Sequence, residues 1–224
     1  MKAKKLLFTG VACTVGFILW TVLIKLVDVQ AVGVNGTDIG FASLNTWFHS
    51  LTGVDFGLYT VTDWLGLVPL FVCLVFGVTG IVQLLKRKSI FKVDTDILIL
   101  GFYYIIVILC YLLFEMHPVN YRPVLINGVA EASYPSSTTL LVLCVMPTLA
   151  FCSRRKLKSR KAAKAIKIFT ALFSAFMVVG RLVSGVHWLT DIVGSVLLSA
   201  GLFALYNSAV AFAENKENIA YGVR

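Results

Sequence analysis

Apolar residues fill six long stretches of this chain, and polar residues gather between them. The stretches are Leu6–Val27, Tyr59–Leu85, Ile97–Phe114, Ser136–Cys152, Ile166–Val186 and Ile192–Ala213. Each meets or exceeds the roughly 17 residues that a helix needs to cross a ~30 Å hydrocarbon layer. The pattern predicts an all-α, polytopic membrane protein with six transmembrane helices. Pro69 and the neighbouring glycines predict a kink in the second span, and Pro147 interrupts the short fourth one. In the segment 28–58, Phe41, Leu44, Phe48 and Leu51 recur at helical spacing. They predict a short helix lying in the membrane interface, with Trp47 and His49 as interfacial anchors. The expected organisation is a single membrane domain over residues 1–224. Residues 1–27 form the first span, 28–58 an extracytoplasmic loop, and about 56–213 the functional core.

Composition narrows the class. Of 224 residues, 58% are hydrophobic and 14% charged, against about 25% charged in a soluble domain. A disordered chain, a nucleic-acid module and an ordinary soluble enzyme are excluded. The first apolar run is too long for a signal-peptide core, so it reads as a retained helix. Cys13, Cys73, Cys110, Cys144 and Cys152 lie in or beside apolar runs without ligand spacing, and read as small buried hydrophobes.

The net charge of +9 acquires meaning from where the charges sit. Lys2, Lys4 and Lys5 precede the first span. Lys86, Arg87, Lys88 and Lys92 follow the second, and eight basic residues between Arg154 and Lys167 follow the fourth. Fifteen of the 20 basic residues thus fall on one side of a six-span topology. The positive-inside rule makes that side cytoplasmic, together with both termini. The 154–167 run reads as a topology and lipid-headgroup device, not as a nucleic-acid site.

Few ionisable residues remain, and inside or beside a span each is a functional candidate. Lys25 and Asp63 lie near span ends, where reaching the interface accounts for them. Arg181 lies within the fifth run, while His187 and Asp191 mark the junction of the fifth and sixth. Arg122 and His117 are the basic residues of the 115–135 loop. In this topology Arg122, Arg181, His187 and Asp191 all lie toward the extracytoplasmic side.

Two guanidiniums in a poorly hydrated site trap phosphate, since each can donate two parallel hydrogen bonds. His187 and Asp191 stand four residues apart and share a face of a helical turn. A carboxylate accepting from one imidazole nitrogen leaves the other free as a nucleophile or base. Tyr134-Pro135-Ser136-Ser137 precedes the fourth span, with Pro135 suited to a helix start and the amides of Ser136 and Ser137 free to face an anion. Singly, these are a cap, a loop charge and interfacial residues. Together they describe a phosphoryl-transfer site. The acidic residues do not cluster as ligands, so no metal or cofactor is implied.

The spacing Arg181-x5-His187-x3-Asp191 resembles the third signature of the type 2 phosphatidic acid phosphatase superfamily, integral membrane lipid phosphatases with a six-helix core. Tyr121-Arg122-Pro123 resembles the end of the first signature, and Tyr134-Pro135-Ser136-Ser137-Thr138 the second. The resemblance covers roughly residues 56–213. It implies that His187 forms a phosphohistidine and that Asp191 orients it. It also implies that Arg122, Arg181 and the segment Ser136, Ser137 and Thr138 hold the phosphoryl oxygens.

Four positions depart from the pattern. Glu115 stands where the family has a lysine, Ser137 replaces a glycine, Thr138 replaces the histidine that protonates the leaving group, and Gly180 replaces a serine. A missing acid costs on the order of 10²–10⁴ in rate when an alkoxide departs, whereas a departing phosphate needs no proton. The expected substrate is therefore a lipid phosphate, with a polyprenyl diphosphate favoured over phosphatidic acid. Glu115 counts against so anionic a substrate unless it pairs with Arg122 or is protonated. His117 is the candidate substitute acid, with Tyr121, Tyr134 and Glu115 as auxiliaries. The alternatives are a lipid phosphotransferase and a silent relative that binds or moves a lipid phosphate. The expected partners are the bilayer and its lipid phosphate, in the plasma membrane, with the site facing the extracytoplasmic side.

Overall fold

The computed structural model describes residues 1–220 of the chain, and side chains through residue 216. Among the described residues eight α-helices follow one another: α1 (Lys2–Leu26), α2 (Ala42–Thr52), α3 (Phe56–Leu65), α4 (Leu67–Arg87), α5 (Thr95–Met116), α6 (Ser137–Lys156), α7 (Arg160–Val183) and α8 (Leu189–Ala220). Six segments are long and apolar enough to span a membrane, with α3 and α4 together forming one. The chain is an all-α, multi-pass membrane protein.

Two expectations shift. The second span breaks at Gly66, three residues before Pro69. A proline cannot donate to the carbonyl four residues back, so the disturbance falls N-terminal to the ring. Pro147, by contrast, leaves α6 continuous. Near it, the Thr148 hydroxyl donates to the Val145 carbonyl at 2.7 Å and Tyr103 donates to that of Cys144 at 3.1 Å. Neighbouring hydroxyls of this kind let a membrane helix tolerate proline.

α6 is the shared wall of two cores. On one side Leu140, Cys144 and Cys152 pack with Phe17 of α1, Leu100 and Tyr103 of α5, and Leu198 and Tyr206 of α8. On the other, Val142, Val145 and Met146 meet Val72 of α4 and Met177 of α7. Inside a bilayer such contacts act through close packing, since lipid is as apolar as leucine.

The two ends of the bundle differ chemically. At one end Lys156 lies 3.1 Å from Asp96 and Arg87 2.8 Å from Asp94, and Arg155 pairs with Glu214. The hydrogen bond from Arg87 holds the Asp94 carboxyl below its usual range. At the other end the loops after α1, α5 and α7 converge. The 20 residues of α6, about 30 Å of helix, separate these ends.

Candidate active site

The loop between α5 and α6 is not irregular. It folds back as a hairpin whose tip, Asn127-Gly128, has positive φ at both residues, 51° and 79°. Ile126 and Val129 exchange backbone hydrogen bonds across it at 3.0 and 2.9 Å. Asn-Gly is the preferred two-residue hairpin turn because both residues tolerate that backbone. Between this turn and the next bridge, Tyr121 with Ala132, the first arm carries two more residues than the second, and this offset sets Arg122 against Glu131, with the Arg122 amide donating to the Glu131 carbonyl at 3.0 Å. Asn120 falls against Ser133, whose amide donates to the Asn120 carbonyl at 2.9 Å. The turn and the two-residue offset together deliver Arg122, Asn120 and Ser133 to the same place.

His187 sits in the short connection between α7 and α8 and is 3% exposed. Its Nδ1 is 3.8 Å from Asp191 Oδ2, too far for the direct hydrogen bond expected from the i, i+4 spacing. Ser133 fills the gap. Its hydroxyl donates to Asp191 Oδ2 at 2.5 Å and faces His187 Nδ1 at 3.1 Å. An ionised carboxylate only accepts, so the serine proton points to Asp191 and the serine oxygen accepts from Nδ1–H. The Nε2 lone pair is then free, and Nε2 is buried without a partner. Asp191 is held in turn by the Trp188 amide at 2.9 Å and by Asn120 Nδ2 at 3.3 Å. Burial drives the His187 imidazole down to about 4, and the positive charges of Arg122 and Arg181 add to the shift against the pull of Asp191. The ring is neutral at ordinary pH.

The connection is pinned from several sides. His49 Nε2 of α2 meets the Gly185 carbonyl at 3.1 Å, and its ring packs on Trp188. The indole of Trp188 donates to the Tyr121 carbonyl at 2.8 Å. Asn45 of α2 brackets Thr190, and Trp20 of α1 donates to the Thr190 carbonyl at 3.1 Å. The short helix read from the sequence in segment 28–58 is α2, and its His49 and Asn45 face the site connection. Gly185 has φ of +67°, and a Cβ on it would lie 1.8 Å from the Gly53 carbonyl oxygen.

The two arginines meet over one ring. The guanidiniums of Arg122 and Arg181 stand 5.8 and 4.9 Å from the centroid of Tyr59 in α3, a cation–π seat that the spacing of the charges does not reveal. Arg181 is 1% exposed. Its Nη2 donates to Thr138 Oγ1 at 2.8 Å and lies 3.5 Å from Asp63 Oδ1, while its Nε has no partner. Arg122 Nε lies 3.2 Å from Glu131, and its Nη1 is buried and unpartnered. Unsatisfied guanidinium nitrogens in a closed site are costly, and an anion would satisfy them. Gly180 also acquires a reason. A Cβ there would lie 2.7 Å from Thr62 Cγ2, so the serine of the family pattern does not fit this approach of α7 to α3.

The second-signature segment divides. Ser136 is fully buried. Its amide points to the Asp191 carbonyl at 3.5 Å and its hydroxyl to Thr139 at 3.1 Å, so neither is free for an anion. Pro135 lies two residues before the helix, not in its first turn. Ser137 and Thr138 begin α6, where first-turn amides lack intrahelical acceptors. Ser137 lines a polar cavity of about 250 Å³ with Arg122, Glu115, Glu131 and Tyr111. His117 is exposed at the end of α5 and is not among the residues lining that cavity. Tyr121 serves through its carbonyl. Ser133, Asn120 and Tyr59 are the site neighbours that charge counting passes over, and Asp63, read as reaching the interface, joins them. The Asn-Gly pair between two apolar flanks was the available signal for the first two.

The sequence profile of the PAP2 superfamily matches residues 97–214, and the chain belongs to that superfamily. No curated protein matches it in sequence. Among solved structures, it is similar to the crystal structure of the first transmembrane PAP2-type phosphatidylglycerolphosphate phosphatase from Bacillus subtilis. That likeness has a TM-score of 0.62 at 18% identity, over 93% of this chain and 97% of the other. The six-span arrangement is the fold of a PAP2 membrane phosphatase.

Proposed function

We propose that the protein is an integral membrane phosphatase that removes phosphate from a lipid phosphate or diphosphate through a phosphohistidine at His187. The observation that carries this reading is the pairing of an oriented, neutral imidazole with two guanidiniums that each keep a buried nitrogen without a hydrogen-bond partner. Ser133, itself donating to Asp191, accepts from Nδ1–H, which leaves the Nε2 lone pair to attack phosphorus. Arg122 and Arg181 offer donors for the oxygens, which gain charge in the transition state. A pure binder needs the arginines but has no use for a buried carboxylate relay behind a histidine.

The site faces the extracytoplasmic side. Support comes from the distribution of basic residues, which gather at the end of the bundle away from His187, and from the positive-inside rule. Purified protein offered phosphatidic acid, phosphatidylglycerol phosphate and a polyprenyl diphosphate is expected to release phosphate from at least one. A His187→Ala variant should lose that release by more than 10³-fold. Release that persists in the variant refutes the phosphohistidine step. Lipid-phosphate binding without release from any of the three supports a silent binder instead.

A further inference from the structure

The arginine clamp and the imidazole account for attack on phosphorus but leave the departing oxygen without a proton. Thr138, at the place of the family's acid, is a hydroxyl engaged by Arg181 Nη2 at 2.8 Å, and an alcohol is a poor proton donor at neutral pH. The same nitrogen lies 3.5 Å from Asp63 Oδ1. Asp63 and Thr138 together border an apolar cavity of about 420 Å³ whose walls include Leu67, Leu70, Ile108 and Leu141. A lipid with its phosphate on the arginines and its chain in this cavity must pass its bridging oxygen between these two side chains.

We propose that Asp63 is the catalytic acid that protonates the leaving oxygen, a reading that rests on the phosphatase function above. The simpler role is that of a counter-ion for Arg181. The geometry disfavours it. The guanidinium side chain is 1% exposed while that of Asp63 is 58% exposed, so the carboxyl opens toward the cavity and does not close over its partner. It also lies seven residues inside the span that starts at Phe56, about 10 Å along the helix. The segment is 32 residues long, about 48 Å against a ~30 Å hydrocarbon layer, so this depth sets Asp63 at the membrane interface, the level of a lipid's phosphate.

The step balances as follows. A lipid phosphate arriving as its monoanion gives its proton to the Asp63 carboxylate as the dianion settles between the guanidiniums. The Nε2 lone pair of His187 forms the N–P bond, and the bond from phosphorus to the lipid oxygen breaks. Its electron pair stays on oxygen, which takes the Asp63 proton and leaves as an alcohol. Water then attacks the phosphohistidine, the N–P electron pair returns to Nε2, and Asp63 takes the water's proton and passes it to the departing phosphate, which leaves as its monoanion with Asp63 again a carboxylate.

The test compares two leaving groups with the full chain in detergent: dioleoyl phosphatidic acid, which releases an alkoxide, and farnesyl diphosphate, which releases a phosphate. Asp63→Asn should lower kcat on phosphatidic acid by about 10²-fold or more and kcat on farnesyl diphosphate by less than threefold. Asp63→Glu should recover at least a tenth of the phosphatidic acid rate. Equal losses on both substrates with no recovery by glutamate would assign Asp63 to structure and overturn the proposal, as would an unchanged phosphatidic acid rate. A wild-type protein silent on both lipids and on phosphatidylglycerol phosphate would sink the phosphatase reading itself, and this step with it.

Discussion

Removing the Ser133 hydroxyl tests the relay behind the nucleophile. In Ser133→Ala the His187 Nδ1–H loses the acceptor 3.1 Å away, and Asp191 loses its 2.5 Å donor. The carboxylate keeps the Trp188 amide and Asn120, so its own placement survives. The imidazole does not fare as well, because Asp191 stands 3.8 Å from Nδ1, beyond hydrogen-bond reach. A buried donor left unsatisfied costs about 1–3 kcal/mol, which corresponds to about a 5- to 150-fold change in rate. The loss belongs in kcat. Positive charge appears on the ring only as Nε2 bonds to phosphorus, whereas neither arginine contacts Ser133 in holding the phosphate. Phosphate release from micellar lipid, measured across substrate concentration, should show kcat down by 5- to 150-fold with KM within about twofold. A kcat within twofold of wild type, beside an Asp191→Ala variant down more than 100-fold, would refute the reasoning. It would mean that the ring reaches the carboxylate without the serine.

Two further expectations follow from the same connection. Burial and the two guanidiniums place the His187 titration near 4 instead of the ordinary 6.5. The imidazole is therefore neutral above that value, and the nucleophile is lost only as pH falls through it. Nitrogen-15 histidine chemical shifts report this directly, and a His187 midpoint above 6 contradicts it. Gly185→Ala places a Cβ 1.8 Å from the Gly53 carbonyl oxygen at a φ of +67°. Strained backbone of this kind costs about 1–3 kcal/mol before the clash is counted. The variant should melt at a lower temperature in detergent and lose at least tenfold in kcat, and a wild-type melt and rate would show that the turn is not constrained as described.

The chain's periodicity and charge placement were enough to establish six spans and the two chemically distinct ends, because both follow from local hydropathy and from where lysines and arginines can reside. They also singled out Arg122, Arg181, His187 and Asp191, since charges inside apolar sequence are few and conspicuous. What they could not supply is who stands between whom. The i, i+4 spacing of His187 and Asp191 suggested direct contact, yet the connection leaves 3.8 Å between them. The filler, Ser133, lies 54 residues from the histidine and arrives through an Asn-Gly hairpin whose arms are offset by two residues. His49, read as an interfacial anchor, turns inward onto Gly185 because α2 packs against the start of α8. Asp63, read as a residue reaching for the interface, is set beside Arg181 by the packing of α3 on α7. Serine, asparagine and tyrosine are common everywhere in a sequence, and only tertiary packing decides which of them meet the rare charges.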